Sequence, residues 1–456
     1  MTSARIAPRA ARPASKSAHS ASKSAHPELV EGCPSRGHSN PDLSRWLVLG
    51  EDRGQFPPGW QAVRARGARV RLREMASGRE RVFFDLIGGY GGNNFGHGHP
   101  AIRAALRKAL EELDHVAVFP SGQAQELARR LVKKCGFASG RCYFTVGGSQ
   151  AVEIALRIGR LMTGKPGIAV MEGAFHGYGA ETVALSRDYV PEELMRVTPA
   201  AAPVTRLAWN DERAFAQLSA AAQTTGTLLF EPILGAAGFR VPDSRWLGQL
   251  LELARELGVL SIADEIQVGC GRTGKFLAIE HLVGARSRRR SWLDGVLLSK
   301  SLAGSVYPLS AVVLNADRTP GLATIDETAA LGESFTNSPL GCAAALAAMD
   351  LLEAGGGALM SKAARLVGAL RRQLERAAAT RRSCTVRGLG ATIALDFGDK
   401  RSATQFVRRA FDQGVLCYVC GGHRWATVKL IPPLTLTPQE AKEVGGRLIR
   451  ALELRS

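Results

Sequence analysis

Aromatic residues make up only 6% of the 456-residue sequence, and its eight cysteines are widely scattered. A small secreted domain held by disulfides would be shorter and richer in cysteine, so this class is excluded and a reducing compartment is expected. No apolar run reaches the roughly 20 residues that a membrane-spanning helix needs. We therefore expect no integral membrane protein. The 50 glycines and few aromatics predict a core of Ala, Leu and Val crossed by many turns.

The N-terminal segment has no acidic residue before Glu28 and few large apolar side chains. Such a segment cannot bury enough surface to offset the entropy lost on ordering, so residues 1–44 are predicted to be a disordered basic tail. An Arg- and Ser-rich, acid-poor start also fits a mitochondrial transit peptide, although its basic residues mark no helical face. The expected location is the cytoplasm, with the mitochondrial matrix as the alternative.

Basic residues outnumber acidic ones by 59 to 41, which gives a net charge of +18. The sign of the charge does not distinguish nucleic acid, anionic membrane and acidic substrates. Part of the excess lies in the tail, and the cluster Arg286–Arg290 has no interleaved aromatic residue, which favours a solvated loop. We expect neither a nucleic-acid nor a membrane partner. A non-catalytic basic protein that binds nucleic acid stays as a remote alternative.

Helical and extended patterns alternate from about Trp46 onward. Apolar residues recur at helical spacing after Pro100 and again from Trp246 to Leu257. Strands separated by helices are typical of an α/β fold with a mostly parallel sheet flanked by helices. After Asn337, two Ala-rich helical stretches and short strands predict a smaller α+β unit. Short apolar runs predict buried strands of the main sheet at 168–171, 227–230, 259–263, 295–298 and 309–314.

Polar residues follow three of these predicted strands, at the sheet edge where open parallel sheets bind ligands. They are Glu231, then Asp264 with Gln267, and then Lys300. Gly148 and Ser149 follow another short apolar run and open a helix. Because a helix start offers free N–H groups and the positive end of the helix dipole, this turn suits a phosphate, although a plain strand-to-helix turn is an equal alternative.

This combination of residues fits pyridoxal phosphate. That cofactor needs a lysine amine for its imine and an acid beside its pyridine nitrogen, which Lys300 and Asp264 could provide. Gln267 could hydrogen-bond the ring hydroxyl, and Phe175 could cover the ring face. A single lysine or acid after a strand is usually a solvated end or a cap. Together and in this order, the residues are far more specific.

The chain resembles the class III pyridoxal-phosphate aminotransferases, which include the ornithine, acetylornithine, 4-aminobutyrate and putrescine aminotransferases. The resemblance covers about 83–440 and implies a fold-type-I transferase. It implies a large cofactor-binding domain at 95–329 and a small domain built from both chain ends, 45–94 and 330–456. The segments that carry it are 84–100, Gly148-Ser149, Ala174-Phe175-His176-Gly177, Glu231-Pro232-Ile233, 263–274, 294–300 and Pro432-Pro433-Leu434-Thr435.

The resemblance also implies site residues and partners. Lys300 would form the Schiff base and move the proton, and Asp264 would hold the pyridinium nitrogen. No metal is expected. In the family a Thr near the edge of the other subunit completes the phosphate site, and Ser334 occupies that position here, which implies a homodimer with shared active sites. The cofactor-binding residues would be Gly148, Ser149, Phe175, His176, Asp264, Ile266, Gln267, Lys300 and Ser334, and the substrate-binding residues Glu231, Tyr90 and Lys429.

The sequence departs from the family pattern in four places, one of which is the stretch 284–291, an expected surface loop that lengthens the connection from Asp264 to Lys300. Gln150 replaces the usual acid after the phosphate loop, and 333–339 lacks the glycine-rich form of its motif. Lys429 stands where many relatives have an arginine that clamps a substrate carboxylate. Because lysine offers a point charge and not a rigid bidentate fork, carboxylate recognition is expected to be weaker or rebuilt.

Other motifs favour plainer interpretations. The segment 269–275 has the spacing of a nucleotide-binding loop, but Phe276 stands where a Ser or Thr must hold magnesium. Two paired motifs lack the further ligands that a metal site needs, namely His97 with His99 and Cys417 with Cys420.

The predicted function is an aminotransferase that moves an amino group to 2-oxoglutarate or pyruvate. The donor would be an ω-amine, either a diamine, an ornithine-like compound or an ω-amino acid. An aminomutase of the glutamate-1-semialdehyde type, or an epimerase, on the same scaffold is the alternative, and it would need no second keto acid.

Overall fold

The computed structural model describes residues 55–115, 119–283, 293–324, 331–381, 383–420, 422 and 424–454. The predicted tail 1–44 and the cluster Arg286–Arg290 lie outside the described residues. The helices are α1 (Gly88–Gly91), α2 (Pro100–Glu112), α3 (Gly122–Cys135), α4 (Gly148–Thr163), α5 (Thr182–Leu185), α6 (Glu192–Val197), α7 (Arg213–Ala221), α8 (Ser244–Glu256), α9 (Glu280–Val283), α10 (Pro339–Arg381), α11 (Lys400–Asp412) and α12 (Pro438–Glu453). The strands are β1 (Trp60–Arg66), β2 (Arg69–Glu74), β3 (Glu80–Asp85), β4 (Gly140–Thr145), β5 (Gly167–Met171), β6 (Val204–Leu207), β7 (Thr225–Phe230), β8 (Leu260–Asp264), β9 (Gly295–Leu298), β10 (Ser310–Asn315), β11 (Thr385–Arg387), β12 (Ile393–Asp396), β13 (Val415–Leu416), β14 (Tyr418–Cys420) and β15 (Thr427–Leu430).

A seven-stranded sheet forms the centre of the molecule, in the order β4-β10-β9-β8-β7-β5-β6. Only β10 runs antiparallel to its neighbours, and the other adjacent pairs are parallel. Strands β5, β7, β9 and β10 are buried along their whole length, as expected for strands covered on both faces. The prediction of an α/β fold with a mostly parallel sheet is confirmed, and the five predicted strands lie within two residues of the observed ones.

Two smaller sheets complete the fold. Strands β1, β2 and β3 from the N-terminal part pair with β13 from the C-terminal part, and β13 runs parallel to β3. The other sheet is antiparallel, with the order β11-β12-β15-β14. Helices α11 and α12 accompany these strands, so the smaller α+β unit predicted after Asn337 is present.

Helix α4 packs on the large sheet, and its first residues lie at the edge of that sheet where the candidate site is described below. Its apolar face is buried, and Gly159 faces β7 so closely that an added Cβ would lie 2.0 Å from the Thr227 hydroxyl oxygen. Glycine therefore allows the helix to lie directly on the sheet. The helix ends at Gly164, whose φ of +65° is in the left-handed region. This close packing fixes the start of α4, at Gly148, against the sheet edge.

Helix α10 is the only helix among the described residues that is long and apolar enough to cross a membrane by length and composition, and half of its apolar window is buried. The helix is interrupted at Gly355, Gly356 and Gly357, whose φ angles are +56°, +65° and +86°. Because the part before the break spans only 339–353, it is shorter than the roughly 20 residues of a membrane span. The two predicted Ala-rich stretches are thus the two halves of α10.

Candidate active site

One cavity of about 180 Å³ lies where β7, β8 and β9 end and α4 begins. Since these three strands are neighbours and parallel, the residues that follow them meet at one edge of the sheet. The cavity brings together nine of the predicted site residues. Its lining is Gly148, Ser149, Phe175, His176, Gly177, Glu231, Ala236, Asp264, Ile266, Gln267, Ser299 and Lys300.

Asp264 is held rigidly at the end of β8. One carboxylate oxygen lies 2.8 Å from Nδ1 of His176, and the other accepts a hydrogen bond from the Ile266 N–H at 3.1 Å. The side chains of His176 and Asp264 are 0% and 4% exposed. Nε2 of His176 is also buried and has no hydrogen-bond partner in the described part of the chain. A buried carboxylate with a fixed direction is therefore available to a cationic group in the cavity.

Glu231 follows β7 and is also buried. Its two carboxylate oxygens accept hydrogen bonds from the N–H groups of Phe175, at 2.8 Å, and Gly235, at 2.9 Å. Burial raises the pKa of Glu231 to about 7, against the opposing effects of His176 and of the two backbone donors. Near neutral pH this side chain therefore exists in both the acid and the carboxylate form.

Lys300 begins a short 3₁₀ turn after β9. Its φ of +46° lies in the left-handed region, which is uncommon for a residue with a side chain and is found at functional sites. Burial lowers the pKa of Lys300 to about 8, and the neighbouring Lys429 acts in the same direction. A larger fraction of the amine is therefore neutral and nucleophilic than in an exposed lysine.

The start of α4 forms the anion-binding end of the cavity. Its first N–H groups have no partner within the helix, and a Cβ on Gly148 would touch the Ile266 side chain at 3.4 Å. A Cβ on Gly177 would come within 2.2 Å of the Ser149 hydroxyl, which accepts a hydrogen bond from the Tyr178 N–H at 3.2 Å. These glycines leave a cradle of backbone donors and a hydroxyl, which is suitable for a phosphate group.

The residues present fit pyridoxal phosphate. The cradle at α4 suits the phosphate, the buried Asp264 suits the pyridinium nitrogen, and Lys300 offers the amine. Phe175 is half-buried and lines the cavity together with Ile266, so the two side chains can enclose a flat ring.

Three predicted site residues lie outside the cavity lining. Tyr90 has a 45% exposed side chain, and its ring lies 5.1 Å from that of Tyr418. Lys429 is buried at 2% exposure, and its Nζ donates to Oε1 of Gln267 at 2.9 Å. Ser334 is exposed in a turn and does not reach the cavity of its own chain.

Three further residues line the cavity without having been predicted as site residues, namely Gly177, Ala236 and Ser299. Gly177 and Ser299 directly neighbour His176 and Lys300 in the sequence, and this adjacency is the one sequence signal that could have placed them in the site. The Ser299 hydroxyl accepts a hydrogen bond from that of Ser310 at 2.7 Å. Ala236 lies in the loop after Glu231 and has no distinguishing sequence signal.

The motifs that suggested nucleotide or metal binding lie outside the cavity lining. Arg272, in the segment with nucleotide-loop spacing, is fully buried and donates to the backbone oxygens of Ala391 and Pro432. Cys417 and Cys420 are free thiols. Nε2 of His97 lies 2.8 Å from a carboxylate oxygen of Asp85. Among the described residues, no group of three or more potential metal ligands occurs.

Comparison with known proteins agrees with this geometry. The sequence model described as Aminotransferase class-III matches residues 52–452. A 5-aminovalerate aminotransferase of Pseudomonas aeruginosa is 30% identical over 80% of this chain and 88% of its own length. An acetylornithine aminotransferase of Methanopyrus kandleri is 31% identical over 81% of this chain and 90% of its own length. The solved ornithine aminotransferase of Toxoplasma gondii superimposes with a TM-score of 0.76 at 25% identity and covers 90% of this chain and 93% of its own.

The fold and the site therefore define a pyridoxal-phosphate enzyme of fold type I. The chain belongs to the class III aminotransferase family. The resemblance noted from the sequence is confirmed, and so are the cofactor and the reaction class, transamination between an amine donor and a keto-acid acceptor.

Proposed function

We propose that this aminotransferase takes the amino group of a primary ω-amine and passes it to 2-oxoglutarate or pyruvate, with Lys300 as the catalytic lysine. The observation that carries the proposal is the meeting of Lys300, Asp264 and the start of α4 in one cavity. Relatives named for 5-aminovalerate, 4-aminobutyrate and acetylornithine support the ω-amine as the donor class.

The residues of the chain have distinct tasks in this proposal. When bound, pyridoxal phosphate supplies an electron sink that acidifies the C–H bond next to the substrate nitrogen. Lys300 takes up and returns the proton of that bond, and its lowered pKa keeps part of the amine neutral for this step. Asp264, oriented by His176, holds a positive charge on the ring nitrogen. Ser149 and the first N–H groups of α4 hold the phosphate.

We also propose a homodimer in which Ser334 serves the cavity of the second subunit. Ser334 is exposed and lies outside the cavity of its own chain, which supports a role elsewhere. Light scattering should give twice the chain mass of 48.6 kDa. A monomer that is active at the same concentration would contradict this arrangement. The cytoplasm is the proposed location, and membership in the family supports it.

A panel of amines tests the donor proposal. The holoenzyme is mixed with diamines, ornithine or ω-amino acids together with 2-oxoglutarate or pyruvate, and newly formed glutamate or alanine is measured. We expect product from at least one primary ω-amine and none without an acceptor. If every ω-amine were inert while an α-amino acid reacted, the donor proposal would be wrong and the cofactor assignment would stand.

A further inference from the structure

The charged side chains that line the cavity differ in whether they have an oppositely charged partner. They are Glu231, Asp264 and Lys300, and no arginine of the described chain lines the cavity. Asp264 is paired with His176, and Lys300 is assigned to the cofactor in the proposed function. The two carboxylate oxygens of Glu231 accept from backbone N–H groups. The charges of Lys300 and Lys429 act on Glu231 through space, but neither lysine forms an ion pair with it. The cavity therefore contains a fixed acid that has no ion-pair partner among the described residues.

Lys429 is a further buried cation close enough to act on Lys300 and Glu231, and its ammonium is hydrogen-bonded to other protein groups. Its Nζ donates to Oε1 of Gln267 at 2.9 Å and to the backbone oxygen of Gly235 at 3.2 Å. The ammonium also lies 5.2 Å from the Phe239 ring centroid and 5.4 Å from that of Tyr418. With only 2% of the residue exposed, a substrate could reach this group only by displacing these contacts.

Gln267 is held at both ends of its amide. Its Oε1 accepts from Lys429, and its Nε2 donates to the backbone oxygen of Tyr90 at 2.9 Å. Because an ammonium only donates and a carbonyl only accepts, these two partners fix which way the amide points. Gly235 packs against the same amide, since an added Cβ would lie 2.3 Å from Oε1. Lys429 thus sets the orientation of a residue that does line the cavity.

We propose that Lys429 positions Gln267 and receives no substrate carboxylate, so that Glu231 selects amine donors whose far end carries a positive charge. The inference deepens the proposed function and rests on it. The donors of this chemical class are α,ω-diamines. In a buried cavity, the Glu231 carboxylate attracts a distal ammonium and repels a distal carboxylate, and discrimination of this kind needs the unfavourable pairing as much as the favourable one.

Three donors with four carbon atoms and different distal ends provide the test, namely 1,4-diaminobutane, butylamine and 4-aminobutanoate. The holoenzyme is mixed with each donor at pH 8 without an acceptor, and the change in absorbance of the bound cofactor gives the rate. We expect 1,4-diaminobutane to react most efficiently, at least about tenfold above 4-aminobutanoate, which corresponds to about 1.4 kcal/mol. A preference for 4-aminobutanoate would overturn this inference alone. Inertness of all three would overturn the inference, and the ω-amine proposal would fall with it only if the wider amine panel were inert as well.

The variant Glu231→Gln tests the selecting residue. It keeps the shape and removes the charge, so the ratio of diamine to aminobutanoate efficiency should fall about tenfold while the rate with butylamine changes little. Glu231→Met, which also lacks the charge, should give the same collapse of the ratio if Glu231→Gln folds poorly. An unchanged ratio in a folded variant would overturn the role of Glu231.

The variant Lys429→Met separates positioning from carboxylate binding. Loss of the hydrogen bond to Gln267 should weaken cofactor affinity about 2- to 10-fold and shift the pH titration of the cofactor absorbance, with the donor ratio unchanged. A selective loss of 4-aminobutanoate activity would show that Lys429 receives carboxylates and would overturn the inference. Lys165→Met is the matched control, because Lys165 also donates to a backbone oxygen, that of Ala222 at 2.8 Å, outside the cavity lining.

Discussion

The cavity has a cofactor half, formed by Asp264, His176 and the start of α4, and a substrate half at Glu231. The two halves differ in whether their charged side chains have partners of opposite charge. In the cofactor half, Asp264 is paired with His176, and the start of α4 lines the cavity with N–H groups that suit an anion. In the substrate half, the buried Glu231 has no ion-pair partner in the described part of the chain, and Lys429 donates to Gln267. The cofactor half is thus equipped for the chemistry that the whole family shares. According to our proposal, the selectivity of this enzyme depends on a few contacts in the other half, so that substitutions should disturb each half separately.

Replacement of Lys300 should have the largest effect. Lys300→Ala removes the only lysine that lines the cavity among the described residues, so turnover should fall by about 10⁴-fold or more. Formation of the amino-acid product in the amine panel measures this loss. Lys165→Met should retain full activity. A Lys300→Ala enzyme within tenfold of the parent would show that another group performs the proton transfer.

Removal of the Asp264 charge should come next. Asp264→Asn preserves the size of the side chain but cannot stabilise a positive ring nitrogen, so kcat/KM should fall by about 10²- to 10³-fold for every donor. Because the change lies in the cofactor half, the ratio between diamine and ω-amino acid should stay constant. Steady-state kinetics with both donors measures this, and a change of the ratio with little loss of rate would contradict the separation of the two halves.

The pH dependence of donor choice sharpens the comparison on the substrate side. Burial raises the pKa of Glu231 to about 7, so the side chain is mostly neutral at pH 6 and mostly ionised at pH 8. The efficiency ratio of 1,4-diaminobutane to 4-aminobutanoate should therefore rise as the pH increases through 7. Other ionisable groups of the enzyme that change the efficiency of both donors equally do not change this ratio. It should be flat in Glu231→Gln, and an equal rise in that variant would assign the effect to another group.

A substitution where α4 packs on the large sheet should act mainly on stability. Gly159→Ala would place a Cβ 2.0 Å from the Thr227 hydroxyl oxygen, so overpacking should lower the free energy of unfolding by about 1–3 kcal/mol. Denaturant unfolding measures the change. Gly122→Ala, at the start of α3 with no atom within 4 Å of the added Cβ, is the control and should change stability much less. Equal effects of the two substitutions would contradict the close packing of α4 on β7.

The cofactor half could be predicted from sequence because its residues follow buried strands directly. The runs before Asp264 and Lys300 identify neighbouring strand ends, and the topology of a parallel sheet brings these ends together. Glu231 in the substrate half could be placed at the same sheet edge for the same reason. The substrate half depends on contacts that no local pattern shows. Gln267 and Lys429 are 162 residues apart, and whether a lysine faces a cavity or a buried amide is decided by packing. The pairing of β3 with β13 is non-local in the same way.

Reduction of the cofactor-loaded enzyme tests the central claim most directly. The protein is saturated with pyridoxal phosphate, treated with borohydride, digested and examined by mass spectrometry. We expect the coloured protein to lose its visible absorbance and to carry one cofactor adduct per chain, on the peptide that contains Lys300. A protein that stays colourless, or an adduct found on Lys429 or another lysine, would contradict the assignment of Lys300.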